Sequence, residues 1–288
     1  MRSVRRDGAA EESVLRIAGE SLDEPRALPL PSGEAWVYTA ASPERLAAPN
    51  EDALAVAGDG HGVILAVADG VGGRRGGHRA SSVVVDAVAH ALEYPTDDPK
   101  RRVIDAIHRA NLELTRDPDA GATTVAVVEL SGDAMRSYHV GDSTTLVSGQ
   151  RGRIKVRTVD HSPVGYLLAA GDIAEEEAIL HSDRHFVSNA VGDLAMQVEV
   201  GPSFGLAPRD TLILGTDGLF DNVRTSEIVE IIRKGPLEAA AKTLARKGRQ
   251  RMLRPEPGAP SKPDDMTFIL YRRASKPRAR LAPPETDA

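Results

Sequence analysis

"GVILAVADGVGGRRGG" occupies residues 62–77. An apolar run climbs to a single acid, Asp69, and then breaks into glycines and arginines. A glycine-rich turn after a strand would suit a nucleotide held at the edge of a parallel sheet, and spacing tests that idea. The dinucleotide fingerprint G-x-G-x-x-G finds Gly70 and Gly72, but its third glycine falls on Arg75. A P-loop finds Gly72 and Gly77, but His78 and Arg79 follow in place of Lys and Ser/Thr. Both fail. What remains is Val63–Ala68, a strand covered on both faces, closed by a carboxylate and a turn that needs close backbone approach. A carboxylate with a neighbouring carbonyl suits a hard metal ion; a surface turn with a solvated Asp is the alternative. Arg74 and Arg75 then read as loop charges.

Outward from this strand, the periodicity alternates between groups of strands and pairs of helices. Strand patterns cover Ala35–Thr39 and Ala53–Ala57. One helical face carries Val84, Val88, Ala91 and Leu92; a second, after Pro99, carries Ile104, Ile107, Asn111 and Leu114. From residue 122, "TTVAVVEL", "AMRSYHV" and "STTLVSG" are separated by short turns and predict a β-meander. A helical stretch is expected over 162–180. "TLILGTDG" and "MTFILYRR" are two more strands; between them Ser226 is expected to cap one helix and Pro236–Met252 to form another. Helices in pairs between strand groups predict an antiparallel sheet system with helices packed outside.

Composition narrows the classes. The chain has 288 residues, no cysteine, 3% aromatics and a net charge of −6. Disulfides, thiolate metal sites and a cysteine nucleophile are excluded together. The charge argues against general nucleic-acid binding. No apolar run approaches the roughly 20 residues of a membrane span, so neither membrane nor nucleic acid is an expected partner. A cytoplasmic, monomeric protein is expected. Residues 1–33 read as a leader or edge segment, 34–273 as one catalytic domain, and 274–288 as a basic, Pro-rich tail without order.

The chemistry lies in acids that recur beside strand ends. Asp69 closes Val63–Ala68, Asp142 follows the strand ending at Val140, and Asp217 follows "TLILGT". Asp264 and Asp265 precede "MTFIL", and Glu51 with Asp52 precedes "ALAV". One such acid is ordinary turn chemistry. Five sites together, in a chain without cysteine, point to oxygen ligation of Mg²⁺ or Mn²⁺. Two such ions can activate water and polarise a phosphoryl oxygen.

The ordered set "NEDALAV", "ILAVADGVGG", "GATTVAVV", "HVGDST", "DHSPVGYLLAAGDIAEEEAILHSDRHFVSNAVGD", "LILGTDGLFDNV" and "DDMTFIL" resembles the PPM family, the metal-dependent protein phosphatases of type 2C, over about residues 35–272. The resemblance implies an α+β, four-layer α/β/β/α sandwich of two antiparallel sheets flanked by helix pairs. It implies hydrolysis of phosphoserine and phosphothreonine in proteins, the substrates of a Ser/Thr kinase, by direct attack of metal-activated water without a phosphoenzyme. It implies two Mn²⁺ or Mg²⁺ ions. Asp69 would bridge them, Gly70 would offer its carbonyl, and Asp217 and Asp264 would serve one ion. Glu51 and Asp52 would stand beside the other, and Asp142 with Asp217 would recruit a third, weaker ion.

Two departures from the family pattern stand out. The Arg that clamps phosphate in many members is Ala47 here, leaving Arg45, two residues away, as the candidate substrate-binding residue. Val71 replaces a His proposed elsewhere as leaving-group acid, and His78 and His161 are candidates by residue type alone. The basic run Lys242–Arg254 reads either as a solvated helix face or as a surface for acidic phosphopeptides. Residues 160–193 resemble the flap that meets the substrate. The alternatives to a general phosphatase are an enzyme dedicated to one regulatory partner and a phosphatase-like binding module without activity.

Overall fold

The structure is a computed structural model that describes residues 13–45, 48–59, 62–72, 76–93 and 101–274. Strands β1 (Ser13–Gly19), β4 (Asn50–Gly58), β5 (Val63–Asp69), β6 (Val125–Ser131), β7 (Ala134–Val140) and β10 (Glu199–Val200) lie side by side in that order, with β11 (Phe204–Gly205) also on β7. The second sheet runs β2 (Arg26–Leu30), β3 (Gly33–Ala40), β13 (Met266–Arg273), β12 (Thr211–Gly215), β8 (Thr144–Ser148) and β9 (Ile154–Arg157). Every pairing in both sheets is antiparallel.

Side-chain size along β4 and β5 explains how the layers stack. Ala53, Ala55 and Ala57, with Ile64, Ala66 and Ala68, face helices α1 (Gly77–Ala89) and α2 (Arg102–Arg116), where Val84, Val88 and Ile107 pack on them. The alternate residues Leu54, Val56, Val63, Leu65 and Val67 face the second sheet and meet Val37, Leu212, Leu214 and Ile269. On the far side, Tyr38, Leu146, Ile213, Phe268 and Leu270 carry α6 (Thr225–Ile232) and α7 (Leu237–Leu253) through Ile228, Ile232 and Leu244. Small residues let helices approach one face; larger ones fill the space between the sheets. The expected α/β/β/α sandwich is the fold. No helix among the described residues is long and apolar enough to cross a membrane.

Three local expectations need amendment. The meander does not form: β6 and β7 pair in one sheet, but β8 pairs with β12 and β9 in the other. Gly141, at φ +97°, turns the chain across the gap where a Cβ would strike Thr124. The stretch 162–180 is two helices, α3 (Pro163–Ala170) and α4 (Glu175–Leu180), because Gly171 at φ +80° ends the first. Ser226 lies inside α6, which starts one residue earlier; the cap comes from Glu227, whose Oε2 accepts the Arg224 N–H at 3.2 Å. Within the segment 1–33, β1 and β2 each form the edge of a sheet. Pro99, Arg74, Arg75, Ala47 and the tail from 275 lie outside the described residues.

The basic run on α7 is largely consumed in tying the outer helices together. Lys242 pairs with Glu238 at 2.7 Å, and Arg249 donates to the Ala41 carbonyl at 2.6 Å. Arg251 grips both oxygens of Glu227 on α6 and donates to the Asn222 carbonyl at 2.8 Å; Lys247 adds a second cation to Glu227 at 2.8 Å. Burial opposes ionisation of Glu227, but the bonds from Arg251 and Lys247 hold its carboxyl down at about 2. Its folded pKa is therefore depressed, so its stabilisation is present above the ordinary carboxylate range and is lost as pH falls through about 2. Glu227→Gln should lower stability in urea by about 1 kcal/mol at pH 7, discounted for solvent screening, with the difference shrinking as pH drops below about 4.5. A second test concerns the turn helix α5 (Asp217–Phe220), where a Cβ at Gly218 would overlap the Asp265 carbonyl. Gly218→Ala should cost about 3 kcal/mol in urea unfolding.

Candidate active site

Strand register brings the acids to one end of both sheets. Asp52 on β4 is directly opposite Asp69 on β5. In the facing sheet, Gly215 pairs with Phe268, so the chain leaving β12 and the chain entering β13 emerge together. That places Asp217 beside Asp264 and Asp265. The crossing at Gly141 delivers Asp142 to the same place.

A row of hydroxyls and amides locks the two sheets together at this edge. Asn50 Nδ2 donates to Thr39 Oγ1 at 2.7 Å, and the Thr39 and Thr267 hydroxyls share a bond of 2.7 Å. The Thr267 N–H donates to Thr216 Oγ1 at 3.1 Å, and Thr216 Oγ1 donates to Asp52 Oδ2 at 2.8 Å. Asp265 uses both oxygens as acceptors: the Ser42 N–H at 2.6 Å and the Glu51 N–H at 2.7 Å. Asp265 therefore pins the loop behind the site. Gly70 lies so close to the start of α1 that a Cβ there would collide with Gly77.

The electrostatics describe a converging set. Burial, then the charges of Asp52, Asp217, Asp264 and Asp142, push the Asp69 carboxyl well above its ordinary range. Burial and Asp265 raise Asp52, against hydrogen bonds from Thr216 and Thr267. Burial, Asp217 and Asp160 raise Asp142. Asp264 is pushed up to about 6 by burial and then by Asp217. Asp217 runs the other way: burial raises it, but the Lys262 ammonium and hydrogen bonds bring it below the usual range.

Among the described residues the acids of this cleft offer oxygen ligands, and two of its buried oxygens, Asp52 Oδ1 and Asp217 Oδ1, have no hydrogen-bond partner. Leaving such groups unpaired costs roughly 1–3 kcal/mol each. A hard divalent cation fits that donor set. Arg45 reaches the rim, with Nη1 2.5 Å from Glu51 Oε2 and Nη2 3.1 Å from Asp265 Oδ2 and 3.7 Å from Asp264 Oδ1.

Two participants escaped the sequence reading. Lys262 places its ammonium among Asp217, Asp221 and Asp264, at 3.2 Å from the last two. In "SKPDD" it reads as a turn charge, and only its place two residues before Asp264 hinted otherwise. Asp221, buried and pushed up to about 6 chiefly by burial, is the second. A narrow cavity of roughly 60 Å³ links Asp142, Asp217 and Asp221 to Arg157, Asp160 and Arg184 under the flap helices α3 and α4. Glu175 of α4 accepts the Thr225 N–H at 2.8 Å and anchors the flap to α6.

The two histidines have other engagements. The His78 ring packs where a Cβ on Gly19 would stand. Among the described residues, three potential ligand atoms come within 4.8 Å of one another at His139, His161 and Glu199. Their protons argue against a metal there. His139 Nε2, 2.9 Å from the Val159 carbonyl, must carry hydrogen. His161 Nδ1 accepts the Gly141 N–H at 3.1 Å, so its Nε2 is the protonated nitrogen facing Glu199 Oε2 at 3.2 Å. On both rings the nitrogen that faces Glu199 thus carries hydrogen in place of a lone pair. The cluster braces the flap against β7.

The chain is similar to known proteins of one family. The profile of the family described as "Protein phosphatase 2C" matches residues 41–254. The chain is 30% identical over 197 residues to the protein phosphatase PhpP of Streptococcus pneumoniae, covering 64% of this chain and 78% of that one. It is 29% identical over 182 residues to the serine/threonine phosphatase stp of Listeria monocytogenes, covering 59% and 71%. The crystal structure of the serine/threonine phosphatase Stp1 from Staphylococcus aureus superposes with a TM-score of 0.71 at 25% identity, covering 88% of this chain and all of that one.

Proposed function

The chain belongs to the protein phosphatase 2C family, and on that premise we propose that it hydrolyses phosphoserine and phosphothreonine in proteins. The observation that carries the reading is the convergence of Asp52 and Asp69 from one sheet, Asp217 and Asp264 from the other, and Asp142 from the crossing between them. Asp69, Asp217 and Asp264 would hold divalent cations, Mn²⁺ or Mg²⁺, with Glu51, Asp52, Asp142 and the Gly70 carbonyl contributing around them. Such ions, when bound, supply Lewis-acid activation of water and of the phosphoryl oxygen.

The chain's own residues account for the rest. The locked threonine row and Asp265 fix the acids in position before substrate arrives, which avoids reorganisation during reaction. Arg45, on the rim and half-exposed, is the group that would meet the phosphate dianion, exchanging its pairs with Glu51 and Asp265 for phosphate oxygens. The flap would contact the phosphoprotein: Tyr166, Leu180 and Phe186 are exposed large apolar side chains on it. A cysteinyl phosphoenzyme has no place in a chain without cysteine. A binding module without activity is the competing reading, and the cations Arg45 and Lys262 lodged among the acids favour it.

Hydrolysis of p-nitrophenyl phosphate and of a phosphothreonine peptide, with Mn²⁺ and after chelation, separates the two. Turnover should require Mn²⁺ and should fall by about a hundredfold or more in Asp69→Asn and Asp217→Asn, as expected when several kcal/mol of charge stabilisation is lost. Arg45→Met should raise KM with a smaller change in kcat. Wild-type protein without turnover that still captures phosphopeptides would establish the binding reading.

A further inference from the structure

Lys262 occupies the acidic cleft without a part in the chemistry above. Its ammonium is paired with Asp217 and stands 3.2 Å from Asp221 Oδ2 and 3.2 Å from Asp264 Oδ2. Its backbone has no freedom to leave. The buried Asn222 donates through Nδ2 to the Lys262 carbonyl at 2.8 Å and accepts the Lys262 N–H through Oδ1 at 2.8 Å. Asn222 is itself fixed to the Gly218 carbonyl at 2.8 Å, and Arg251 holds the Asn222 carbonyl at 2.8 Å. Pro263 limits the chain on the other side. Only the four-carbon stem can swing, so the movable element is a single positive charge on a fixed tether.

Its partners divide into two kinds. Asp217 and Asp264 are the acids assigned above to a divalent ion; Asp221 is not among them. An ammonium and a dication in contact with the same carboxylates repel each other strongly in a partly buried setting. Asp221 offers the ammonium a place to remain when the other two are taken. Resting on the metal-dependent reading above, we propose that Lys262 is a tethered cation that competes with the divalent ion for Asp217 and Asp264 and retains Asp221 when displaced. It balances the acids in the metal-free protein and lowers the affinity of the site, so that loading responds to the supply of free metal.

The test is titration calorimetry of Mn²⁺ into the chelator-treated full chain, with thermal unfolding of the metal-free protein alongside. Lys262→Met and Lys262→Gln should each bind Mn²⁺ at least about tenfold more tightly than wild type. Their metal-free Tm should be lower by several degrees, because the acids lose their counter-ion. Lys262→Arg, which keeps the charge, should bind Mn²⁺ much as wild type does. The gain should persist in about 1 M salt, which largely screens separated, solvent-exposed charges but screens a partly buried contact much less. Unchanged or weaker Mn²⁺ binding in both neutral variants overturns the competition while leaving the metal-dependent reading intact. A gain that vanishes in high salt also overturns it, since that is a distant charge effect. Absence of Mn²⁺ binding from wild type and both neutral variants overturns the proposal together with the reading it rests on.

Discussion

Repulsion among buried carboxylates is the constraint around which this molecule is organised. Asp52, Asp69, Asp142, Asp217, Asp221 and Asp264 meet at one edge of two stacked sheets, and most are pushed above their ordinary pKa range by burial and by one another. No local interaction would gather them. The gathering is imposed by the large apolar layers behind the site, whose burial outweighs the electrostatic cost. Stability made in the core is thereby held as a site ready for positive charge.

The layers also explain why the site is stiff. Mostly alanines on the helix side of β4 and β5 and larger residues between the sheets keep each strand from slipping: a one-residue shift would exchange the two sets. Register therefore fixes Asp52 against Asp69. The threonine row from Thr39 through Thr267 and Thr216 to Asp52 then ties one sheet to the other at the point where the acids lie. Farther out, Glu227 and Arg251 join α6 to α7 and reach the loop that presents Lys262.

Much of this was legible in the residues. The continuous apolar run before Asp69, the "TLILGTDG" strand and the long helix after Pro236 carry their structure in local pattern, and the acids beside them announced the site. The rest was hidden for physical reasons. The Gly141–Asp142 turn has the residues of a hairpin, and only packing between sheets reveals that it crosses from one to the other. Gly171 breaks a helical pattern through a backbone angle that composition does not display. Lys262 and Asp221 act through a contact made only when the β12 and β13 ends come together, so neither one's neighbours in the chain disclose it.

The central claim is that the acids around Asp69, Asp217 and Asp264 hold the working cations. Crystals grown with Mn²⁺ and measured by anomalous scattering at the manganese edge test it most directly. The account predicts strong peaks between Asp69, Asp217 and Asp264. A cleft without a peak, or manganese confined to His139, His161 and Glu199, would contradict it.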